Sequence, residues 1–269
     1  MSKTMEKGLQ LLDLFTEEKH SWTLDEISTH AEMPKPTAYR MLRSLVNVGF
    51  LQRTLLEKNG KIIESDNYVL GLKLLQLGGR VASALEIREI AFPYMKQLQS
   101  EINEAVQLVT RDNENGIYIE KVESTRPVRL YTRIGRQAPL YAGACTRTLL
   151  SYLPDDEITE ILKNPIKNYA SHTPKTVEDV WALIHKTRQE GFAYSHSELE
   201  EGTVSIATPI FNHRGEVQYS ISIAGFPVSL PIENVKKFVV PLWKVASIIS
   251  KKLGYNDPYP YGDNITKIS

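Results

Sequence analysis

The sequence predicts an α+β protein of two domains: a small helical one closed by a β-hairpin, and a larger one built on an antiparallel sheet. Three observations point there. The 269 residues exceed the roughly 100–200 of a single domain. Apolar residues recur at helical spacing through the first fifty positions, then give way to two short strand-like runs around a turn. Farther along, strand candidates are grouped on either side of helices, which suits an antiparallel sheet with helices around it.

The composition, 42% hydrophobic and 24% charged, belongs to a globular chain that can bury a sizeable core. A single cysteine, Cys145, excludes an intramolecular disulfide framework and the common cysteine-rich zinc modules, and fits a reducing cytoplasm. Met1 to Leu14 mixes Lys3, Glu6, Lys7 and Asp13 among its apolar residues, so it holds no signal-type core. No apolar run approaches the ~20 residues that span a bilayer, and no membrane partner is expected. Neither GxxxxGK[ST] nor GxGxxG occurs, and the histidines lack ligand-type spacing, so no cofactor or metal is expected.

The first domain resolves into three helices and a hairpin. Leu9, Leu11, Leu12, Leu14 and Phe15 make Met5–Phe15 a short packing helix. Thr23-Leu24-Asp25-Glu26 is a capping box, with Trp22 and Ile27 placed as its hydrophobic staple, and a short helix runs on through His30. After a four-residue turn, Pro34-Lys35-Pro36-Thr37 opens a third helix, with Pro36 suited to its first position. Ala38, Met41, Leu42, Leu45 and Val46 form its buried stripe. Thr37, Arg40, Ser44 and Asn47 line the opposite face, Tyr39 and Arg43 flank it, and Gly49 ends it. Two helices joined in this way form either a helix-turn-helix, with Arg, Thr and Ser ready for bases or phosphates, or a plain helical hairpin with a solvated face. Two further runs, Phe50–Thr54 and Asn67–Leu70, read as strands around an Asn59-Gly60 turn. A hairpin directly after a recognition helix is a wing, and it would carry Arg53, Lys58 and Lys61.

Charge agrees with this layout although the whole chain is neutral, with 32 basic and 32 acidic residues. Met1–Pro34 holds three bases (Lys3, Lys7, Lys19) and seven acids, a net of −4. Lys35–Lys61 holds six bases (Lys35, Arg40, Arg43, Arg53, Lys58, Lys61) and one acid, Glu57, a net of +5. Phosphate attraction depends on where Lys and Arg stand, so a domain with one basic side can read DNA without a basic total. Residues 1–73 balance ten bases with ten acids, which implies modest, strongly salt-limited non-specific affinity.

In the second domain, helical patterns cover Gly71–Ile102, Gly143–Tyr152, Asp156–Leu162, Val177–Glu190 and Ile232–Leu253. Strands are expected at Ala105–Thr110, Ile117–Val122, Val128–Tyr131, Phe192–Ser197, Val204–Phe211 and Val217–Ala224.

Several segments together resemble a known family. Lys7-Gly8-Leu9, Leu24 to Ser28, Pro34 to Leu42, Val48-Gly49-Phe50-Leu51 and Tyr68-Val69-Leu70-Gly71 are similar to the N-terminal domain of IclR-type transcription regulators. Val122-Glu123-Ser124, Arg129-Leu130-Tyr131, Leu140-Tyr141-Ala142, Arg188 to Phe192, Glu200-Glu201-Gly202 and Ile206 to Ile210 continue the resemblance, from about Thr4 to Gly254. Pro36 stands where the family often has Ser, the wing is longer than usual, and Cys145-Thr146-Arg147 replaces a common Gly-Lys step. The resemblance implies a winged helix-turn-helix domain over 1–73, a linker helix over 74–89 and a GAF-like effector-binding domain over 90–255. Residues 256–269 then form a loosely ordered tail.

It also implies double-stranded operator DNA as one partner and a small-molecule effector, an organic acid among the candidates, as another. A homodimer or tetramer acting as a repressor is the expected form. Carried over position by position, backbone amides of Ala144 and Cys145 and side chains of Ser195, His196, Ser205 and Ser222 would touch the effector. Ser205 and Ser222 could equally be ordinary strand residues bonded to nearby backbone, and His196 a surface histidine. The rival reading is a metabolite-binding protein or small-acid-processing enzyme that uses the helix-turn-helix as an interaction module. Cys145 with His172, His185, His196 or His213 would be its nucleophile and base, but no local signature supports a pair.

Overall fold

The computed structural model describes residues 3–16, 18–58, 60–84 and 86–259, with the side chains of Lys58, Lys61 and residues 81–84 outside that description. Two compact units divide the chain, Met1–Ala84 and Leu85–Ser269.

The first unit opens with α1 (Lys3–Gln10) and a 3-10 turn (Leu11–Leu14), followed by α2 (Leu24–His30) and α3 (Lys35–Asn47). The Thr23 capping box forms as expected: the Glu26 amide donates to Thr23 Oγ1 and the Thr23 amide to Glu26 Oε2. The bond from the Lys19 ammonium, followed by these capping bonds, holds the Glu26 carboxyl down at about 2. Pro34 is the N-cap of α3 and Lys35 its first residue, so Pro36 takes the second position. The helix ends in a Schellman motif. Gly49 lies at φ +81°, its amide donates to Val46 O, and the Phe50 amide donates to Leu45 O. Trp22, Ile27, Leu42, Leu45, Leu51 and Tyr68 form the core, and Trp22 Nε1 donates to Leu14 O at 2.8 Å.

The hairpin is longer than its apolar pattern suggests. Strands β2 (Leu51–Lys58) and β3 (Lys61–Leu70) pair antiparallel down to Lys58↔Lys61, because the short connection keeps the charged stretch in register. A two-residue strand β1 (Trp22–Thr23) joins β3 on its other side, too short to announce itself in sequence. Asn59, half of the expected turn, lies outside the described residues. Helix α4 (Leu72–Ala84) closes the unit and contains Gly78 and Gly79.

In the second unit a six-stranded antiparallel sheet runs in the order β6-β5-β4-β9-β8-β7. Its strands are β4 (Ala105–Asp112), β5 (Asn115–Val122), β6 (Gln137–Pro139), β7 (Ala193–His196), β8 (Val204–Phe211) and β9 (Val217–Gly225). Pairing β4 with β9 and β9 with β8 gives each face a different chemistry. Val106, Leu108, Ile206, Ile210, Ile221 and Ile223 share one face, packed against α5 (Glu86–Ile102) and α9 (Val235–Lys252). Small and hydroxylic residues share the other: Gln107, Ser220, Ser222, Ser205 and Ser195. That face is covered by α6 (Ala144–Ser151), whose eight residues are all buried, and beyond it α7 (Asp155–Ile161) and α8 (Val177–Glu190).

Two expectations change. Val128–Tyr131 forms no strand; β6 takes the sheet edge instead, pairing Ile117 with Gln137. Side chains fix the 124–129 segment: Arg126 donates to Asn103 O and Glu104, and Arg129 to Glu123. The tail is ordered through Tyr259. Tyr255 stacks on Phe211 at 5.0 Å, and Tyr259 donates its hydroxyl to Pro209 O at 2.7 Å. Tyrosine supplies a large apolar ring with one polar tip, enough to anchor a strap that would otherwise be solvated. Residues 260–269 of the expected loose tail lie outside the described residues.

Candidate functional site

The first surface lies on α3. The buried stripe of Ala38, Leu42 and Leu45 turns Tyr39, Arg40, Arg43, Ser44 and Asn47 outward, all exposed, with Thr37 half-buried at the helix start. Arg43 has no partner among the described residues. Arg40 is braced by a bond from Nε to Pro36 O at 3.3 Å, and Ser44 Oγ donates to Arg40 O at 2.9 Å. Lys35 pairs with Asp25 at 2.9 Å, an exposed contact of little energetic worth that a phosphate could displace. The α3 residues therefore form one continuous polar face with two guanidiniums.

The wing differs. Arg53 is held by Glu64 at 3.3 Å and Asp66 at 2.9 Å, so its charge is largely spent within the hairpin. Leu55, Leu56, Ile62 and Ile63 are exposed beyond it, which makes the hairpin more apolar than its basic residues suggested. The side chains of Lys58 and Lys61 fall outside the described residues.

The second surface is a chamber on the hydroxylic face of the sheet. Its wall includes Gln107, Tyr118, Thr132, Gly143, Ser195 and Ser205, with Leu130 and Leu199 at its sides. Cross-strand pairing sets Ser195 beside Ser205, and Gln107 bridges outward, donating to Thr132 Oγ1 at 2.6 Å and accepting from Ser222 Oγ at 3.3 Å. Burial pushes the Tyr118 phenol well above its usual range, so it remains a neutral donor. The enclosed volume is about 30 Å³, on the scale of one water molecule.

At one end stands the start of α6. Gly143, at φ +86°, is its N-cap, a left-handed conformation that favours glycine, and a Cβ there would press on the end of the Leu199 side chain at 2.5 Å. Its amide donates to Glu198 Oε2 at 2.9 Å. The same carboxylate oxygen takes a short bond from Arg147 Nη1, and Arg147 Nη2 donates to Tyr194 O at 2.5 Å. An internal carboxylate thus already sits at the positive end of this helix.

The structure brings Ser195 and Ser205 into the chamber wall, and places Ser222 behind Gln107. Ala144 and Cys145 lie in the buried first turn of α6. Cys145 Sγ faces Ser220 O at 4.0 Å, and burial lifts its thiol to about 11, an inert environment rather than a nucleophile's. His196 points to the other side of β7, against His172. Gln107, Thr132, Tyr118 and Gly143 escaped the sequence reading, although Gln107 interrupts an apolar strand, and a polar residue there has to find partners.

Comparison with known proteins bears on both surfaces. Residues 4–55 match the model of the IclR helix-turn-helix domain, and residues 79–251 match that of the bacterial transcriptional regulator IclR C-terminal domain. The HTH-type transcriptional regulator KipR of Bacillus subtilis (strain 168) is 42% identical over 255 residues, covering 94% of this chain and 98% of that protein. The crystal structure of the Thermotoga maritima IclR aligns at a TM-score of 0.67 and 28% identity, covering 95% of this chain and all of that one. An IclR homologue from Microbacterium hydrocarbonoxydans, solved in complex with 4-hydroxybenzoate, shares the fold at a TM-score of 0.76 and 23% identity, over 93% and 99% of the two chains. Among the described residues no helix is long and apolar enough to cross a membrane. With a helix-turn-helix face in the first unit, a helix-covered sheet in the second, and both halves matched in order, the chain belongs to the IclR family of DNA-binding transcription regulators, and is a regulator rather than an enzyme.

Proposed function

We propose that this regulator is a cytoplasmic repressor that binds double-stranded operator DNA as a homodimer or tetramer and is controlled by a small organic acid held in the Ser195–Ser205 chamber. The observation that carries the reading is the chamber itself. Buried hydroxyl and amide groups converge on one face of the sheet, while its opposite face packs into the largest apolar cluster. Such groups favour a compact oxygen-rich ligand. The 4-hydroxybenzoate held by the Microbacterium homologue is an acid of that kind. At about 30 Å³ the chamber is far below the roughly 300–1,000 Å³ of sites that hold drug-sized ligands, so an acid must favour an expanded arrangement. Control then follows from the ligand's different affinities for the closed and expanded arrangements.

Ser205→Leu fills the chamber. A thermal-shift screen of small carboxylic acids, with and without upstream DNA, should find a stabilising acid for the wild type whose effect this variant loses. An acid that stabilises both proteins equally would place the effector elsewhere. On DNA, Arg40→Ala should weaken operator binding by about 1–3 kcal/mol if Arg40 reads a base, or flatten the salt dependence if it holds a phosphate. Arg53→Ala should do less, since Glu64 and Asp66 already occupy that guanidinium. Gel-shift titrations at several salt concentrations separate these cases, and unchanged affinity and slope for Arg40→Ala would remove α3 from the interface. Two α3 helices about one helical turn apart, ~34 Å, would read a pseudo-palindrome. Raised transcription from the target promoter on deleting the gene would support repression, and lowered transcription would mark an activator.

A further inference from the structure

At the edge of the sheet, a cleft of about 260 Å³ opens between β7 and α8. Alternation along β7 separates the two spaces: Ser195 lines the chamber, while Tyr194 and His196 line the cleft. Arg147 lies in the cleft wall and is only 1% exposed. Both its Nη atoms are engaged, but Nε is buried with no partner. A buried guanidinium N–H ordinarily has an acceptor, so this donor calls for one.

The rest of the wall suits the same kind of acceptor. The His172 and His196 rings stand 5.1 Å apart. Lys186 lies 3.9 Å from Glu190, whose carboxyl is pushed up by burial against the pull of that ammonium. Arg147 offsets Glu198 and Lys186 offsets Glu190, which leaves two imidazoles as surplus donors. Leu183 and Phe192 give the cleft an apolar floor. Its volume is just below the range for drug-sized ligands, enough for a body of about one ring.

We infer that this cleft is a second small-molecule site, taking an oxyanion (a carboxylate or a phosphate) on a small body, with His172, His196 and Arg147 Nε as donors. The inference goes beyond the chamber reading and does not depend on it.

Isothermal titration calorimetry of the full chain with benzoate and with inorganic phosphate tests it. At least one probe should bind the wild type, and which one does identifies carboxylate or phosphate as the source of the oxyanion. Binding should weaken by about tenfold or more in the His172→Ala/His196→Ala double variant, the scale of losing hydrogen bonds to a charged group. Lys186→Glu, on the exposed face of α8, should weaken it in the same direction without disturbing the ring pair. Ser205→Leu should leave it unchanged. Failure of both probes to bind the wild type, equal binding by the double variant, or loss of binding in Ser205→Leu would each overturn the inference.

Discussion

Arg147→Ala should destabilise the C-terminal domain by about 3–5 kcal/mol, the cost of removing one partner from a buried ion pair. Arg147 and Glu198 are almost wholly enclosed, and removing the guanidinium leaves the carboxylate with the Gly143 amide alone. The Tyr194 carbonyl on the edge strand loses its donor in the same step. Urea denaturation of the full-length protein should show the loss in the transition assigned to residues 85–259, and hydrogen exchange should rise first along β7. Removing both charges together, as Arg147→Met with Glu198→Gln, should recover a substantial part, because the penalty comes from the stranded charge. A single variant within about 1 kcal/mol of wild type, the scale of an exposed pair, would show that the pair is solvated.

Trp243→Ala should cost a comparable amount, about 3–5 kcal/mol, through a different mechanism. The indole lies in the largest apolar cluster at 2% exposure, edge-on to Phe192 at 6.3 Å. Its Nε1 donates to Gly191 O at 3.1 Å, a carbonyl that also accepts from Thr208 Oγ1 at 2.8 Å. Trp243→Phe should retain most of the packing, and Thr208 keeps Gly191 O satisfied, so its loss should be nearer the ~1 kcal/mol of one net hydrogen bond. Thermal melts of the two variants would separate cavity from hydrogen bond. Equal losses would mean that the bond, and not the ring volume, dominates.

Local rules made much of the fold legible. The Thr23 capping box, the α3 stripe and the Gly49 stop act over a few residues, and each appears where the pattern put it. Strand β8 matches its predicted span because the run from Val204 to Phe211 needed no outside partner to be recognised. What failed was tertiary. The 128–131 segment has strand-like residues, but Gln137–Pro139 takes the edge of β5 instead, and no pattern in the segment encodes that. Strand β1 exists only because β3 passes beside it. At the chamber, the family resemblance brought Ser195 and Ser205 forward, whereas Gln107 and Thr132 meet only once β4 and the 130–133 segment are in place. Arg147 was visible as a departure from the Gly-Lys step, yet its partner stands 51 residues away, a distance sequence spacing does not bridge.

The two faces of the sheet also bear on how such a regulator changes over generations. Along Ser220-Ile221-Ser222-Ile223-Ala224, successive residues look alternately toward the helix-covered hydroxylic face and the apolar core. One set of positions therefore faces the layer that holds the chamber, while the next set holds the apolar core together. On the proposed reading of the chamber, changes on the hydroxylic face would alter what the domain holds while the apolar face stays intact, so a shared scaffold can diversify in the signals it answers.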